Sequence, residues 1–192
     1  MAASEPNLHV VDWSAIPAPE DDGGARHLLG ARFPRYALPA TNGGHVDLSL
    51  CQGRTVLFVY PMTGRPGVAL PEGWDAFPGA RGCTPQACGF RDHDAELRAA
   101  GADHVFGMSV QDPAYQHEAA ERLHLPFPLL SDSAFAVSGA LKLPMMEVAG
   151  MRLLKRLAMI ADNGTIAHVL YPVFPPGQNV IEVLAWLRQN PK

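Results

Sequence analysis

The chain has 192 residues, of which 47% are hydrophobic and 18% are charged. This is the balance of a folded globular protein, and one domain is the default for this length. Such a chain buries roughly 70% of the surface that it exposes when unfolded, so its core needs neither disulfides nor metal. The net charge of −4 lacks the basic excess of proteins that bind polyanions, so we expect no nucleic-acid partner.

The sequence also bears on membranes, location and redox state. Runs of apolar side chains reach only five residues, as in 56–60, whereas a membrane helix needs about 20, so we expect no membrane association. Residues 1–22 contain five acidic residues and no Lys or Arg, which is unlike a signal or transit peptide and predicts a cytoplasmic location. The three cysteines, Cys51, Cys83 and Cys88, are an odd number, so any disulfide should be transient or catalytic.

Turn residues and β-branched runs outline the first part of the chain. Residues 1–30 mix prolines, glycines and an acidic run, which predicts an extension laid over the domain. A turn at 42–44 predicts a short hairpin or edge strand near 45–48. The run 55–60 predicts a central strand covered on both faces, and the prolines and glycines of 61–82 predict a long loop after it.

The second part of the chain alternates helix and strand signals. Thr84 can cap a helix, Pro85 suits its first position and Gly101 can end it, so we predict one helix over 84–100. Further predicted elements are a strand at 104–110, a helix at 112–123, a short helix at 133–141, strands at 156–161 and 165–171 joined by Asn163-Gly164, and a helix over 180–187. This order predicts an α/β fold with a mixed central sheet and helices on both faces.

Familiar cofactor motifs do not account for this sequence. The segment 64–67 follows the central strand, but a Walker loop needs a Gly-Lys pair, which does not occur. The dinucleotide fingerprint and the serine nucleophile elbow are also absent. No histidine pair with the spacing of a zinc site accompanies Cys83 and Cys88. We therefore expect no metal and no other cofactor.

Cys83 and Cys88 lie at the start of the predicted helix. A thiol at a helix N-terminus faces unpaired N–H groups and the positive end of the dipole, which favour the thiolate and make Cys83 a candidate nucleophile. Two buried, inert cysteines are an equally open interpretation on position alone. Residues five apart in a helix have Cα atoms about 8.6 Å apart, beyond the ~7 Å limit of a disulfide. A bond between these cysteines would therefore require the first turn to unwind.

The sequence resembles the peroxiredoxins, in the group of bacterioferritin comigratory protein and plant peroxiredoxin Q. The similarity covers about 38–187 and rests on 82–92, Gly-Cys-Thr-Pro-Gln-Ala-Cys-Gly-Phe-Arg-Asp. The resemblance implies that Cys83 is the peroxidatic cysteine and Cys88 the resolving one. It also implies that Pro61 is the proline ending the strand before the Pro-x-x-x-Thr-x-x-Cys motif, and that Arg156 holds thiolate and peroxide. The implied fold is thioredoxin-like, over 31–192.

Two features depart from the family pattern. Pro61 and Cys83 are 22 positions apart where the family motif has seven, so the chain carries an inserted loop at about 62–79. Ala80 occupies the position of the family threonine, whose hydroxyl helps to orient peroxide, and Thr63 and Thr84 are candidate substitutes.

Four other residues have simpler interpretations. We expect Cys51 to be a small buried residue. Arg81 could help to hold the thiolate, but an exposed loop arginine is the favoured interpretation. Trp74 and Phe77 could cover the cleft, but anchoring of the inserted loop is the favoured interpretation.

The predicted function is a thiol peroxidase that reduces hydrogen peroxide or organic hydroperoxides. The Cys83 thiolate would become a sulfenic acid, Cys88 would condense with it, and thioredoxin or a similar dithiol would reduce the disulfide. Two alternatives are a redox-sensing interaction module and a thioredoxin-like disulfide oxidoreductase, although the latter uses Cys-x-x-Cys. We expect a monomer or a homodimer.

Overall fold

A computed structural model describes residues 11–192, so the first ten residues of the expected extension lie outside it. The strands are β1 Ala37–Pro39, β2 His45–Asp47, β3 Arg54–Val59, β4 His104–Ser109, β5 Leu129–Ser131, β6 Met145–Val148, β7 Met151–Leu154, β8 Leu157–Asp162 and β9 Thr165–Leu170. The α-helices are α1 Cys83–Asp92, α2 Asp94–Ala99, α3 Pro113–Arg122, α4 Ala136–Ala140 and α5 Asn179–Gln189, and short 3-10 helices cover Trp13–Ala15, Arg26–Leu28, Leu48–Leu50, Trp74–Ala76 and Pro176–Gln178. Within 11–192, no helix is long and apolar enough to cross a bilayer.

A five-stranded mixed sheet forms the centre of the fold, in the order β5-β4-β3-β8-β9. Strand β3 pairs parallel with β4 on one side and antiparallel with β8 on the other. All six residues of β3 are buried, as expected for a continuous β-branched and aromatic run between two covered faces. The predicted central strand and mixed sheet are therefore confirmed.

Two apolar layers cover the sheet, because alternate side chains of each strand point to opposite faces. Val56 and Phe58 of β3 pack in the layer that includes residues of α1, α2, α3 and α5, whereas Leu57 and Val59 pack in the layer that includes α4 and the helix Arg26–Leu28. Helices thus lie on both faces of the sheet, as predicted. The described part of the expected extension contributes the fully buried Leu28 to the second layer.

The predicted single helix over 84–100 is wrong, because the chain bends at His93 and forms α1 and α2. The run Asp92-His93-Asp94 has low helix propensity. The His93 ring also makes a hydrogen bond of 2.9 Å with the Gly89 carbonyl, so the side chain competes with the backbone for this acceptor. The break leaves Cys83 and Cys88 together in α1.

A hairpin that the sequence did not reveal, β6–β7, packs against the inserted loop. Its two strands pair antiparallel and are joined at Ala149 and Gly150, both with positive φ. Val148 and Leu153 of this hairpin form a small apolar cluster with Trp74 and Ala80. The hairpin therefore supports the chain three residues before Cys83.

Candidate active site

The candidate site lies where α1 begins. Cys83 is the first residue of α1, and Gly82 before it has a φ of +104°, a conformation that side chains disfavour. Cys83 is only 3% exposed, and its thiol points to the Ala80 carbonyl at 3.7 Å. Cys83 therefore stands at the start of a helix, as the sequence predicted, and the positive end of a helix dipole favours a thiolate at such a position.

Arg156 reaches the Cys83 sulfur from the sheet. Strand β8 begins at the next residue, and its pairing of Leu157 with Val59 sets Arg156 beside the end of β3. The guanidinium Nη2 donates to Cys83 Sγ at 3.3 Å and also faces the Arg81 carbonyl at 3.1 Å. Arg156 is 2% exposed, so its charge acts on the sulfur with little screening by water.

Gln86 and Asn179 hold the arginine in place, and sequence reasoning missed both. Arg156 Nη1 donates to Gln86 Oε1, and Gln86 Nε2 donates to Asn179 Oδ1 at 2.9 Å. All three side chains are buried. One available signal was the spacing of Gln86, which lies three residues after Cys83 and so shares its face of the helix.

Cys88 lies in the same helix but in a different environment. Its side chain is half-buried beside the apolar layer of α1. Burial raises the pKa of Cys88, and the nearby Arg91 guanidinium opposes this increase only in part. Neither Cys83 nor Cys88 is bonded to another cysteine. With α1 intact, their Cα atoms are about 8.6 Å apart, as ideal helix geometry requires.

A cavity of about 240 Å³ opens beside Cys83. Its lining includes Thr84, which is therefore better placed than Thr63 to offer a hydroxyl at the sulfur. Thr63 is buried elsewhere and donates to Gln111 Oε1 at 3.2 Å. Pro61 is buried two residues after the end of β3 and is not among the cavity-lining residues, whereas the next residue, Met62, is.

Of the four remaining candidates, Trp74 and Arg81 line the cavity beside Cys83, whereas Phe77 and Cys51 are not among its lining residues. Trp74 does both of the things considered for it, because it anchors the inserted loop in an apolar cluster and lines the cavity, whereas Phe77 is 37% exposed and is not among the lining residues. Arg81 also lines the cavity and forms an ion pair with Asp75 at 2.9 Å. Cys51 is half-buried and packs against the layer on the other face of the sheet, and burial raises the pKa of its thiol.

Among the described residues, no group of three or more His, Cys, Asp or Glu side chains is placed to hold a metal ion.

Comparisons with known proteins define the class to which this fold and site belong. The sequence profile of the Redoxin family matches residues 28–185. Peroxiredoxin Bcp of Escherichia coli K12 is 33% identical over 165 residues, which cover 82% of this chain and 93% of that protein. Chloroplastic peroxiredoxin Q of Gentiana triflora is 28% identical and is matched over 68% of its length. Among solved structures, peroxidoxin BcpB of Mycobacterium tuberculosis has a TM-score of 0.67 at 26% identity, over 85% of this chain and 98% of that one.

The chain belongs to the Redoxin family and, within it, to the peroxiredoxins, which are thiol-dependent peroxidases. The resemblance drawn from 82–92 and the thioredoxin-like fold that it implied are both confirmed.

Proposed function

We propose that this peroxiredoxin reduces peroxides through Cys83, with Arg156 as the activating residue and Cys88 as the resolving cysteine. The observation that carries the proposal is the 3.3 Å contact between Arg156 Nη2 and Cys83 Sγ at the N-terminus of α1. A buried guanidinium and a helix N-terminus are the two groups best suited to stabilise a thiolate.

The proposed cycle has three balanced steps. The Cys83 thiolate attacks the terminal oxygen of ROOH, the O–O bond breaks, and the products are Cys83 sulfenic acid and RO⁻, which takes up a proton and leaves as ROH. The Cys88 thiol then condenses with the sulfenic acid, forming the Cys83–Cys88 disulfide and releasing water. An external dithiol reduces this disulfide by thiol–disulfide exchange and becomes a disulfide itself.

Arg156 contributes most where negative charge moves. Charge leaves the sulfur and builds up on the departing oxygen during O–O cleavage, so a guanidinium between the two stabilises the transition state more than the ground state. The Gln86–Asn179 pair keeps the guanidinium in this position. No protein group needs to reorganise at the moment of reaction.

A thioredoxin-like protein is the proposed reductant. The support is family membership, together with the half-exposed position of Cys88, which leaves one sulfur of the pair near the surface. The cytoplasmic location, the monomeric or dimeric state and the lack of a nucleic-acid partner stay predictions.

The alternative functions receive less support. The relatives are peroxiredoxins, which favours turnover of peroxide over a purely sensory disulfide. The four residues between Cys83 and Cys88 also differ from the Cys-x-x-Cys of disulfide oxidoreductases.

Substitution of the cysteines one at a time tests the proposal. We expect Cys83→Ser to abolish peroxide turnover with thioredoxin. We expect Cys88→Ser to react once and then accumulate sulfenic or sulfinic acid at Cys83, seen by intact-protein mass spectrometry. Cys51→Ser is the matched control, because that thiol packs against the opposite layer, and it should retain turnover. Full turnover by Cys88→Ser would show that the resolving role is wrong.

A further inference from the structure

The cavity beside Cys83 takes most of its apolar surface from parts of the chain outside the family motif. Trp13 comes from the N-terminal segment, and Leu70 and Trp74 come from the inserted loop. Val11, Met62 and Pro85 complete the apolar lining. The reactive sulfur therefore shares one cavity with side chains that the peroxide chemistry itself does not require.

The volume of the cavity far exceeds the needs of hydrogen peroxide. A volume of about 240 Å³ is about eight times the ~30 Å³ share of one water molecule in the liquid. A cavity of about 150 Å³ lined by apolar side chains is enough to hold benzene. One aryl ring or a branched alkyl group, together with its hydroperoxide, therefore fits here.

The walls of the cavity are held in place independently of any ligand. The Trp13 ring packs edge-to-face on Phe174, with ring centroids 5.9 Å apart, and Trp74 is buried in the cluster that contains Ala80. The start of the inserted loop is held by α3, because the Tyr115 hydroxyl donates to the Thr63 carbonyl at 3.0 Å. Because these side chains are already ordered, binding of an apolar group would cost little conformational entropy of the protein.

The charge of the cavity favours a neutral ligand. Apart from the Cys83 thiolate of the proposed cycle, Arg81 is the one charged side chain among the described residues that line it, and Asp75 pairs with Arg81 at 2.9 Å. Leu70, by contrast, leaves 46% of its surface exposed beside this cavity. A bound apolar group would remove part of that surface from water.

We propose that Trp13, Leu70 and Trp74 are specificity-determining residues that bind the apolar group of neutral organic hydroperoxides, aryl or branched alkyl, and so favour them over hydrogen peroxide. This inference rests on the proposed function, because it assigns the substrate of the same Cys83. The hydroperoxide oxygens lie at Cys83, and the organic group lies against the inserted loop and the N-terminal segment.

Stopped-flow kinetics test this assignment. The two rate constants to be measured on the same preparation are those for oxidation of Cys83 by cumene hydroperoxide and by hydrogen peroxide. We expect Leu70→Ala and Trp13→Ala each to lower the ratio of the two rate constants by about tenfold, the lower end of what one apolar group contributes to discrimination. Val68→Ala and Phe77→Ala are the matched controls. Both residues are exposed in the inserted loop that contains Leu70, and neither is among the cavity-lining residues. They should keep the wild-type ratio. A loss of folding would lower both rate constants. A loss of selectivity lowers the rate constant for cumene hydroperoxide relative to the one for hydrogen peroxide, so the two effects can be told apart.

A binding measurement separates this inference from the proposed function. The probe is 2-phenyl-2-propanol, the alcohol that reduction of cumene hydroperoxide would release, and the readout is tryptophan fluorescence of the reduced protein, with tert-butanol as the smaller comparison. We expect tighter binding of the aryl alcohol, weakened by Leu70→Ala and not by Val68→Ala. If Leu70→Ala and Trp13→Ala turn over peroxide with the wild-type ratio of the two rate constants, the substrate assignment is overturned and the proposed function stands. Binding of the aryl alcohol without reaction of Cys83 with either peroxide would overturn the proposed function and, with it, the substrate assignment.

Discussion

Gly82 is the position where a single added carbon should disturb the site most. Its φ of +104° already disfavours any side chain, and an added Cβ would lie 2.5 Å from Pro176 Cγ and 2.7 Å from Trp13 Cη2. Both distances are far below van der Waals contact, so the neighbours must move. We expect Gly82→Ala to shift Trp13 and the first turn of α1.

The cost of Gly82→Ala follows from two contributions. A left-handed backbone costs a residue with a Cβ about 1–2 kcal/mol, and overpacking of this kind costs about 1–3 kcal/mol. The free energy of unfolding should therefore fall by about 2–5 kcal/mol. Since 1 kcal/mol corresponds to about 2–4 °C for chains of 150–250 residues, Tm should fall by about 4–20 °C.

Gly79→Ala is the matched control for this measurement. Gly79 also has a positive φ, +80°, but an added Cβ would meet Pro19 at an ordinary 3.6 Å. It should carry only the backbone contribution, about 1–2 kcal/mol or a Tm lower by about 2–8 °C. Thermal unfolding followed by circular dichroism compares the two variants, and stopped-flow oxidation of Cys83 should slow only in Gly82→Ala. Equal changes in Tm would refute the argument that Trp13 and Pro176 enclose the helix start.

Three other outcomes concern the reacting groups. Arg156→Met removes the guanidinium at 3.3 Å from the Cys83 sulfur, and oxidation by peroxide should slow by about 10²–10³; an unchanged stopped-flow rate would contradict its role. Because burial raises the pKa of Cys88, only the thiolate minority reacts at neutral pH. Alkylation of Cys88 by iodoacetamide in Cys83→Ser should therefore rise by about tenfold per pH unit through pH 9, and a plateau at pH 8 would oppose this. Amide exchange over 84–90 should increase when the disulfide forms, and equal protection in both redox states would rule out a helix shared by the two cysteines.

The sequence predicted elements well where one local pattern dominates. Strand β3 is buried on both faces and reads as a continuous apolar run, and Asn163-Gly164 correctly indicates the β8–β9 hairpin. Hairpin β6–β7 escaped the same reasoning because Ala149 occupies a positive φ there. Alanine is not expected in that conformation, and Gly150 alone, without the Asn or Asp that precedes it in a typical hairpin turn, is a weaker signal.

The candidate site was predictable only in its local part. Cys83 and Cys88 stand out because they are close in sequence at a helix start, and Arg156 was found only through the family resemblance. Asn179 is 93 residues from Gln86, and their contact depends on how α5 docks on α1. Trp13 reaches the cavity by a similar long-range path. Contacts set by tertiary packing leave no pattern in the local sequence.

The arrangement of α1 links the two halves of the proposed cycle. A Cys83–Cys88 disulfide requires the first turns of α1 to unwind, because the intact helix holds the Cα atoms about 8.6 Å apart. Gln86 lies between the two cysteines, so the same unwinding withdraws it from Arg156. In the proposed cycle, the group that positions the activating arginine is therefore withdrawn when the disulfide forms, after the peroxide step, and is restored only when the reductant allows α1 to re-form. Reduction, in this scheme, rebuilds the peroxide-reactive state as well as the two thiols.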